Sequence, residues 1–170
     1  MQNKSHINKG LTIAAVLICF NIITQFTKNN FNEWTTFVFA AIIIIGVAVS
    51  VFLLAKSDDN NLKFAQLFGY GFKTGAVIAC VYFIYTILAV YIFFPDFVNE
   101  KLKHSIEEAK RQGAMDDKTV KANLEALNGL GKKVAIYMHI AGTIMGTLFL
   151  GIIGSLIGTV TTNRASKSSN

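Results

Sequence analysis

A chain of 170 residues with 52% hydrophobic side chains, a mean hydropathy of +0.46, 15% charged residues and one proline departs from the average soluble domain, which carries about 25% charge. Its formal net charge of +6 comes from basic residues scattered beside apolar blocks and interleaved with acids, so anionic lipid headgroups are the expected counter-charge and nucleic acid is not. Both cysteines, Cys19 and Cys80, fall within apolar blocks and read as small packing residues with no disulfide or metal role.

The apolar blocks are residues 11–27, 35–55, 74–94 and 134–160, and nearly all ionisable side chains lie between them. That segregation is expected where a charge at the bilayer centre costs about 3 kcal/mol. The first block follows a polar lead containing Lys4, His6 and Lys9. No small-x-small cleavage site follows it, so it reads as a retained helix and not as a secretory signal. Asn21 and Gln25, four residues apart, share one helical face and are expected to point at other helices. Lys28 to Trp34 then forms a tight link, with Phe31, Trp34 and Phe37 at headgroup level, and residues 35–55 make the most uniformly apolar span.

Residues 57–61 are turn-like, and the aromatic, glycine-rich approach that follows reads as an interfacial helical turn leading into the third span. The third span contains no Asp, Glu, Lys or Arg from Thr74 to Phe94, a run of 21 residues that suffices to cross a bilayer core of about 30 Å. Pro95 ends it. Gly75, Ala79, Tyr82, Tyr85, Thr86 and Ala89 fall on one side of its helical wheel and are expected to face the bundle. Beyond Pro95, Asp96 is placed to cap a helix whose apolar positions are Val98, Leu102, Ile106 and Ala109. Gly113 interrupts, Asp116 or Asp117 can cap again, and Val120, Leu124 and Leu127 make a second stripe. Residues 96–131 therefore read as an amphipathic helical hairpin outside the bilayer core, closed by a flexible glycine hinge bearing Lys132 and Lys133.

The last span is rich in small residues. Thr143, Thr147, Gly151, Gly154 and Gly158 stay within about 80° of one another on a helix turning 100° per residue, and they predict a helix-packing seam. Gly142 and Gly146 lie off it, near His139, while Leu150 is expected to face lipid. Residues 161–170 read as a disordered tail.

The residues offer little chemistry. His6, His104 and His139 form no ligand cluster, and the motifs of zinc hydrolases, thiol redox sites, serine hydrolases and phosphate loops do not occur. No catalytic residue, metal ligand or cofactor is expected, and the chain reads as no enzyme. Proton-coupled transport would call for an acidic residue or arginine within the spans, where only His139 titrates, at a boundary.

The approach FAQLFGYGFKTG, the span end FFPDFVNEKLK, the segment EEAKRQGAMDDKTVKANLEAL and the glycine-rich last span together resemble a group of small four-helix membrane proteins from Bacteroidota, a domain of unknown function. Phe64, Phe68, Gly71, Phe72, Gly75 and Pro95-Asp96-Phe97 carry the resemblance most sharply, and it covers nearly the whole chain. It implies a bacterial inner-membrane location and brings no activity with it.

The expectation is an all-α polytopic membrane protein with four spans and a hairpin between the third and fourth. Charge bias places both termini in the cytoplasm, since Lys4, Lys9, Lys56, Lys63, Lys73, Arg164 and Lys167 lie on one side and, the hairpin apart, only Lys28 on the other. Two functions fit. One is a non-enzymatic membrane interaction or scaffold protein, with an unknown protein partner or a second copy of itself beside the lipid bilayer. The alternative is a small oligomeric channel or carrier lined by Asn21, Gln25, Tyr82, Tyr85, Thr86 and Thr143.

Overall fold

The computed structural model describes residues 5–29, 32–57, 62–126 and 130–168, with residue 130 and residues 164–168 described by their backbone alone. Phe31, Leu127 and Gly129, which the sequence reading placed at the headgroup level, on the hairpin stripe and in the hinge, lie outside the described residues or their contacts. The chain is all-helical: α1 (Ser5–Phe26), α2 (Glu33–Ser57), α3 (Phe64–Leu88) continued by a π turn (Ala89–Phe93), α4 (Phe97–Arg111), α5 (Asp117–Ala126) and α6 (Leu130–Ser168), with no strand among the described residues. Four of these are long and apolar enough to cross a membrane, namely Ser5–Phe26, Glu33–Ser57, Phe64–Phe93 and Gly131–Asn163.

Local signals account for most of the boundaries. After α1, Lys28 takes φ 55°, its amide bonds the Gln25 carbonyl at 3.1 Å, and the Asn29 amide bonds the Thr24 carbonyl at 2.9 Å. This is the paired closure of a helix end on a left-handed residue, here made without glycine. At the start of α3 the Lys63 amide donates to Gln66 Oε1 at 2.8 Å, half of a capping box. The helix then runs unbroken through Gly69 and Gly71, so the approach to the third span is part of that span. Pro95 disrupts the carbonyls one turn behind it, and the last turn widens, with the Phe94 amide reaching the Ala89 carbonyl at 2.7 Å.

Three boundaries differ from the sequence reading. The lead before residue 11 is helical from Ser5, because Ser5, His6 and Lys9 find partners on other helices. The glycine hinge before the last span is helical from Leu130 onward, so Lys132 and Lys133 sit in the first turn of α6. The tail continues as helix to Ser168, since no proline or glycine follows Gly158 and the Thr161 and Thr162 hydroxyls donate back to the Ile157 and Gly158 carbonyls at 2.8 and 2.7 Å.

The chain divides into two compact units, one of Met1–Phe83 with Ile144–Asn170 and one of Ile84–Thr143. In the first unit, α1, α2, the leading part of α3 and the trailing part of α6 run alternately up and down. The N-terminal parts of α1 and α3 lie beside the C-terminal halves of α2 and α6, where Ser5 reaches Tyr70, Lys9 reaches Ser50, and Gly71 sits against Ser155 and Val51. Val51, Ala55, Leu67 and Tyr70 form a core cluster there, flanked by Leu54 and Leu62. In the second unit, Val90, Val98 and Ile136 are the buried centre, and Phe97, Leu102, Ala135 and Ile140 pack around them.

Candidate functional site

Small side chains set the interior of the first unit. A methyl group added at Gly75 would lie 3.1 Å from the Gly151 Cα, so α3 and α6 cross there nearly backbone to backbone. One added at Gly154 would lie 2.7 Å from the Ile44 carbonyl oxygen, and one at Gly158 would lie 2.8 Å from that of Ala48. The face carrying Thr147, Gly151, Gly154 and Gly158 is therefore shared between α3 and α2, a division that the sequence reading, which specified the seam alone, did not give. Close approach of this kind replaces the hydrophobic drive that helices lack in lipid. Gly142 and Gly146 face open space. Leu150, expected to face lipid, is half-buried, and Phe149 beside it is 63% exposed. Cys19 and Cys80 are exposed and unpaired, on the outer surface and not in the packing.

The buried hydroxyls of this region are spent on backbone. Ser155 Oγ donates to the Phe68 carbonyl at 2.8 Å, joining α6 to α3, while Thr159 and Thr162 donate to the Ser155 and Gly158 carbonyls at 2.8 and 2.7 Å. Each donor is satisfied where a lone hydroxyl would be costly.

The polar residues proposed for a solute pathway are divided between the units. Asn21 and Gln25 are half-buried in the first, and Tyr82 is buried there with its ring centre 5.1 Å from that of Phe39. Tyr85 and Thr86 are buried in the second, where the half-buried Thr143 donates to the His139 carbonyl at 2.8 Å. His139 is half-buried, with its ring edge-on to Phe97 at 5.5 Å between centres. Neither unit contains the whole set.

In the second unit α4 and α5 form a closed hairpin. The Ala114 amide bonds the Ala109 carbonyl at 2.9 Å and the Gly113 amide bonds that of Lys110 at 3.0 Å, with Gly113 at φ 73° where only glycine is unstrained. Asp116 caps α5 by accepting the Thr119 amide at 2.8 Å, and the hydrogen bonds from Thr119 hold its carboxyl below the usual carboxylate range. Lys110 pairs with Asp117 across the turn, and that hydrogen bond and charge raise the lysine above its ordinary value. Asp96 stands at the N-cap of α4 but makes no side-chain capping bond there. Its carboxylate is 3.5 Å from the Lys132 ammonium instead. Val98, Ile106 and Val120 are buried, Leu102 and Leu124 are half-buried, and Lys103, Glu107 and Arg111 form an exposed row along α4. The Asn99 Oδ1 is buried with no hydrogen-bond partner among the described residues.

Sequence reasoning passed over one group altogether. At the end of the first unit, Ser5 Oγ and Tyr70 OH share a hydrogen bond of 2.9 Å, the His6 ring stands edge-on to Tyr70 at 6.0 Å, and the Lys9 ammonium lies 5.4 Å from the Tyr70 ring centre while donating to the Ser50 carbonyl at 3.2 Å. The sequence marks this stretch only as a polar lead. A signal was present in the four-residue spacing of Ser5 and Lys9, which puts both on one helical face. Among the described residues, no group of three or more His, Cys, Asp or Glu side chains is placed to hold a metal ion.

Four apolar helices packed through small residues define a multi-pass membrane protein. The chain belongs to a family of proteins of unknown function, DUF4199, whose profile matches residues 8–163. Comparisons with curated proteins and with solved structures returned no match.

Proposed function

We propose that the protein is a non-enzymatic membrane interaction protein, a scaffold whose α4–α5 hairpin presents its charged outer face to a protein partner or to anionic lipid headgroups. The observation that carries this reading is the hairpin's construction. It is capped, closed on Gly113 and tied by Lys110–Asp117, with its apolar positions turned inward and the row Lys103, Glu107, Arg111 left outside. A segment that merely linked two spans would need none of these devices. The first unit supports the same reading, because Ser155, Thr159 and Thr162 donate to helix carbonyls in a packing role. Affinity capture of the full chain from native membranes tests it. Replacing Lys103, Glu107 and Arg111 together by Ala is expected to abolish recovery of the captured partner or anionic lipid without lowering the thermal midpoint. Unchanged recovery together with solute flux in proteoliposomes would favour the channel or carrier alternative.

The location belongs to the same proposal. Resemblance to Bacteroidota proteins implies a bacterial inner membrane, and the charge bias outside the hairpin favours cytoplasmic termini. The hairpin region opposes that bias with eight basic residues on the other side. An impermeant thiol reagent should label a cysteine placed at Met115 and spare one at Asp59 in intact cells, after Cys19 and Cys80 are replaced by serine. The reverse pattern would invert the topology.

A further inference from the structure

Three helices of the first unit converge on Lys9. Lys9 is half-buried, and its ammonium has three hydrogens to donate, of which one goes to the Ser50 carbonyl at 3.2 Å. The Tyr70 ring supplies a π face on one side. A carbonyl and a ring offer only partial negative charge, and no carboxylate among the described residues pairs with this lysine. Beside it, Ser5 Oγ and Tyr70 OH share one hydrogen between them, which leaves the other hydroxyl hydrogen free to donate elsewhere, and the His6 ring stands edge-on to Tyr70. Lys9 and Tyr70 stand in the first two turns of the candidate spans Ser5–Phe26 and Phe64–Phe93, at the ends where a span meets the headgroup layer. Lipid phosphates occupy that depth.

We propose that Ser5, His6, Lys9 and Tyr70 form a phosphate-binding subsite, with Lys9 as its charge and the hydroxyls and imidazole as its rim. Its ligand is the phosphodiester of an anionic phospholipid. A tetrahedral anion with several acceptor oxygens can take the two remaining lysine hydrogens and a hydroxyl donor at once, and it supplies the missing counter-charge. This subsite stands on the first unit alone and is independent of what the hairpin binds.

The test uses the purified full chain in neutral detergent, with phosphatidylglycerol, phosphatidylcholine and inorganic phosphate as probes and with thermal midpoint and native mass spectrometry as readouts. Phosphatidylglycerol should raise the midpoint and remain bound, while phosphatidylcholine, whose choline offsets the phosphate, should do much less. Lys9→Met removes two charge-assisted hydrogen bonds and the counter-charge, so it should weaken phosphatidylglycerol binding by about tenfold or more. Lys9→Arg should retain binding, and Lys73→Met, an exposed charge on α3, should behave as the unaltered chain. Tyr70→Phe combined with Ser5→Ala keeps the ring beneath Lys9 and removes both hydroxyls, so it reports on the rim if Lys9→Met fails to fold. Protection by inorganic phosphate that competes with phosphatidylglycerol would assign the phosphate to a soluble source; protection by the lipid alone assigns it to the membrane. Full phosphatidylglycerol affinity in either the Lys9→Met chain or the chain carrying Ser5→Ala with Tyr70→Phe, or equal shifts from both lipids, overturns the proposal.

Discussion

Adding one methyl group to α6 should have opposite effects at positions a few turns apart. At Gly154 the new carbon would stand 2.7 Å from the Ile44 carbonyl oxygen, 3.0 Å from Val47 Cβ and 3.1 Å from the Ile44 Cα. Two of those three atoms are backbone, so relief requires α6 and α2 to move apart. Overpacking of this kind costs about 1–3 kcal/mol, and the gain in helix propensity from Gly to Ala returns about 1 kcal/mol. Gly154→Ala should therefore destabilise by up to about 2 kcal/mol, and Gly154→Leu by more. At Gly142 and Gly146 nothing lies within 4 Å of the added methyl. Only the propensity gain remains there, up to about 1 kcal/mol in favour of the variant. For a chain of this length 1 kcal/mol corresponds to about 2–4 °C, so the two sets of variants should separate by several degrees in detergent. Stabilisation by Gly154→Ala equal to that by Gly142→Ala or Gly146→Ala would refute the assignment of the buried face.

Three further outcomes follow from local geometry. Lys28→Gly should raise the midpoint by the equivalent of about 1 kcal/mol, because a side chain at φ 55° is strained and glycine is not; a lower midpoint would mean the lysine holds the turn by other contacts. Asp116 has a depressed carboxyl, so the stability it lends α5 is full above its unfolded value of about 3.9 and is lost as pH falls through its lower folded value. Amide protection factors in residues 117–126, exchange corrected for its intrinsic pH dependence, should fall below about pH 4 in the natural chain and be already low, and less dependent on pH, in Asp116→Ala; identical profiles would remove the cap from the account. Asn99→Leu should leave the second unit as stable or make it more so, by up to about 1 kcal/mol, since it removes a buried oxygen with no partner among the described residues; marked loss of protease resistance in the hairpin would show that the oxygen is in use.

The spans were legible because lipid enforces a coarse rule. Charges are excluded from each block, and Pro95 ends the third wherever it packs. The burial of Gly75, Ala79, Tyr82, Tyr85, Thr86 and Ala89, with Ile84 and Leu88 exposed, likewise follows the helical period that a wheel displays. What escaped were pairings between distant parts of the chain. Asp96 reads as a cap from its neighbours, yet its carboxylate goes to Lys132, 36 positions along. Ser5 and Lys9 read only as a polar lead because Tyr70 and Ser50 are 65 and 41 residues away. The division of one small-residue face between α2 and α3 is equally invisible to periodicity, which specifies the face and not the neighbour. Leu150 shows the limit of the wheel itself: a residue at the edge of a buried face is half-covered, and a two-sided scheme has no place for it.

Site-specific photocrosslinking in intact cells tests the interaction reading most directly. A photoreactive side chain at Glu107, on the exposed row of α4, should give one discrete crosslinked protein or lipid species, and the yield should fall when Lys103 and Arg111 are changed to Ala. The same probe at Met145, 70% exposed on α6, should give only diffuse lipid adducts. Discrete adducts from Met145 with none from Glu107 would contradict the account, placing the contact surface on the span and not on the hairpin.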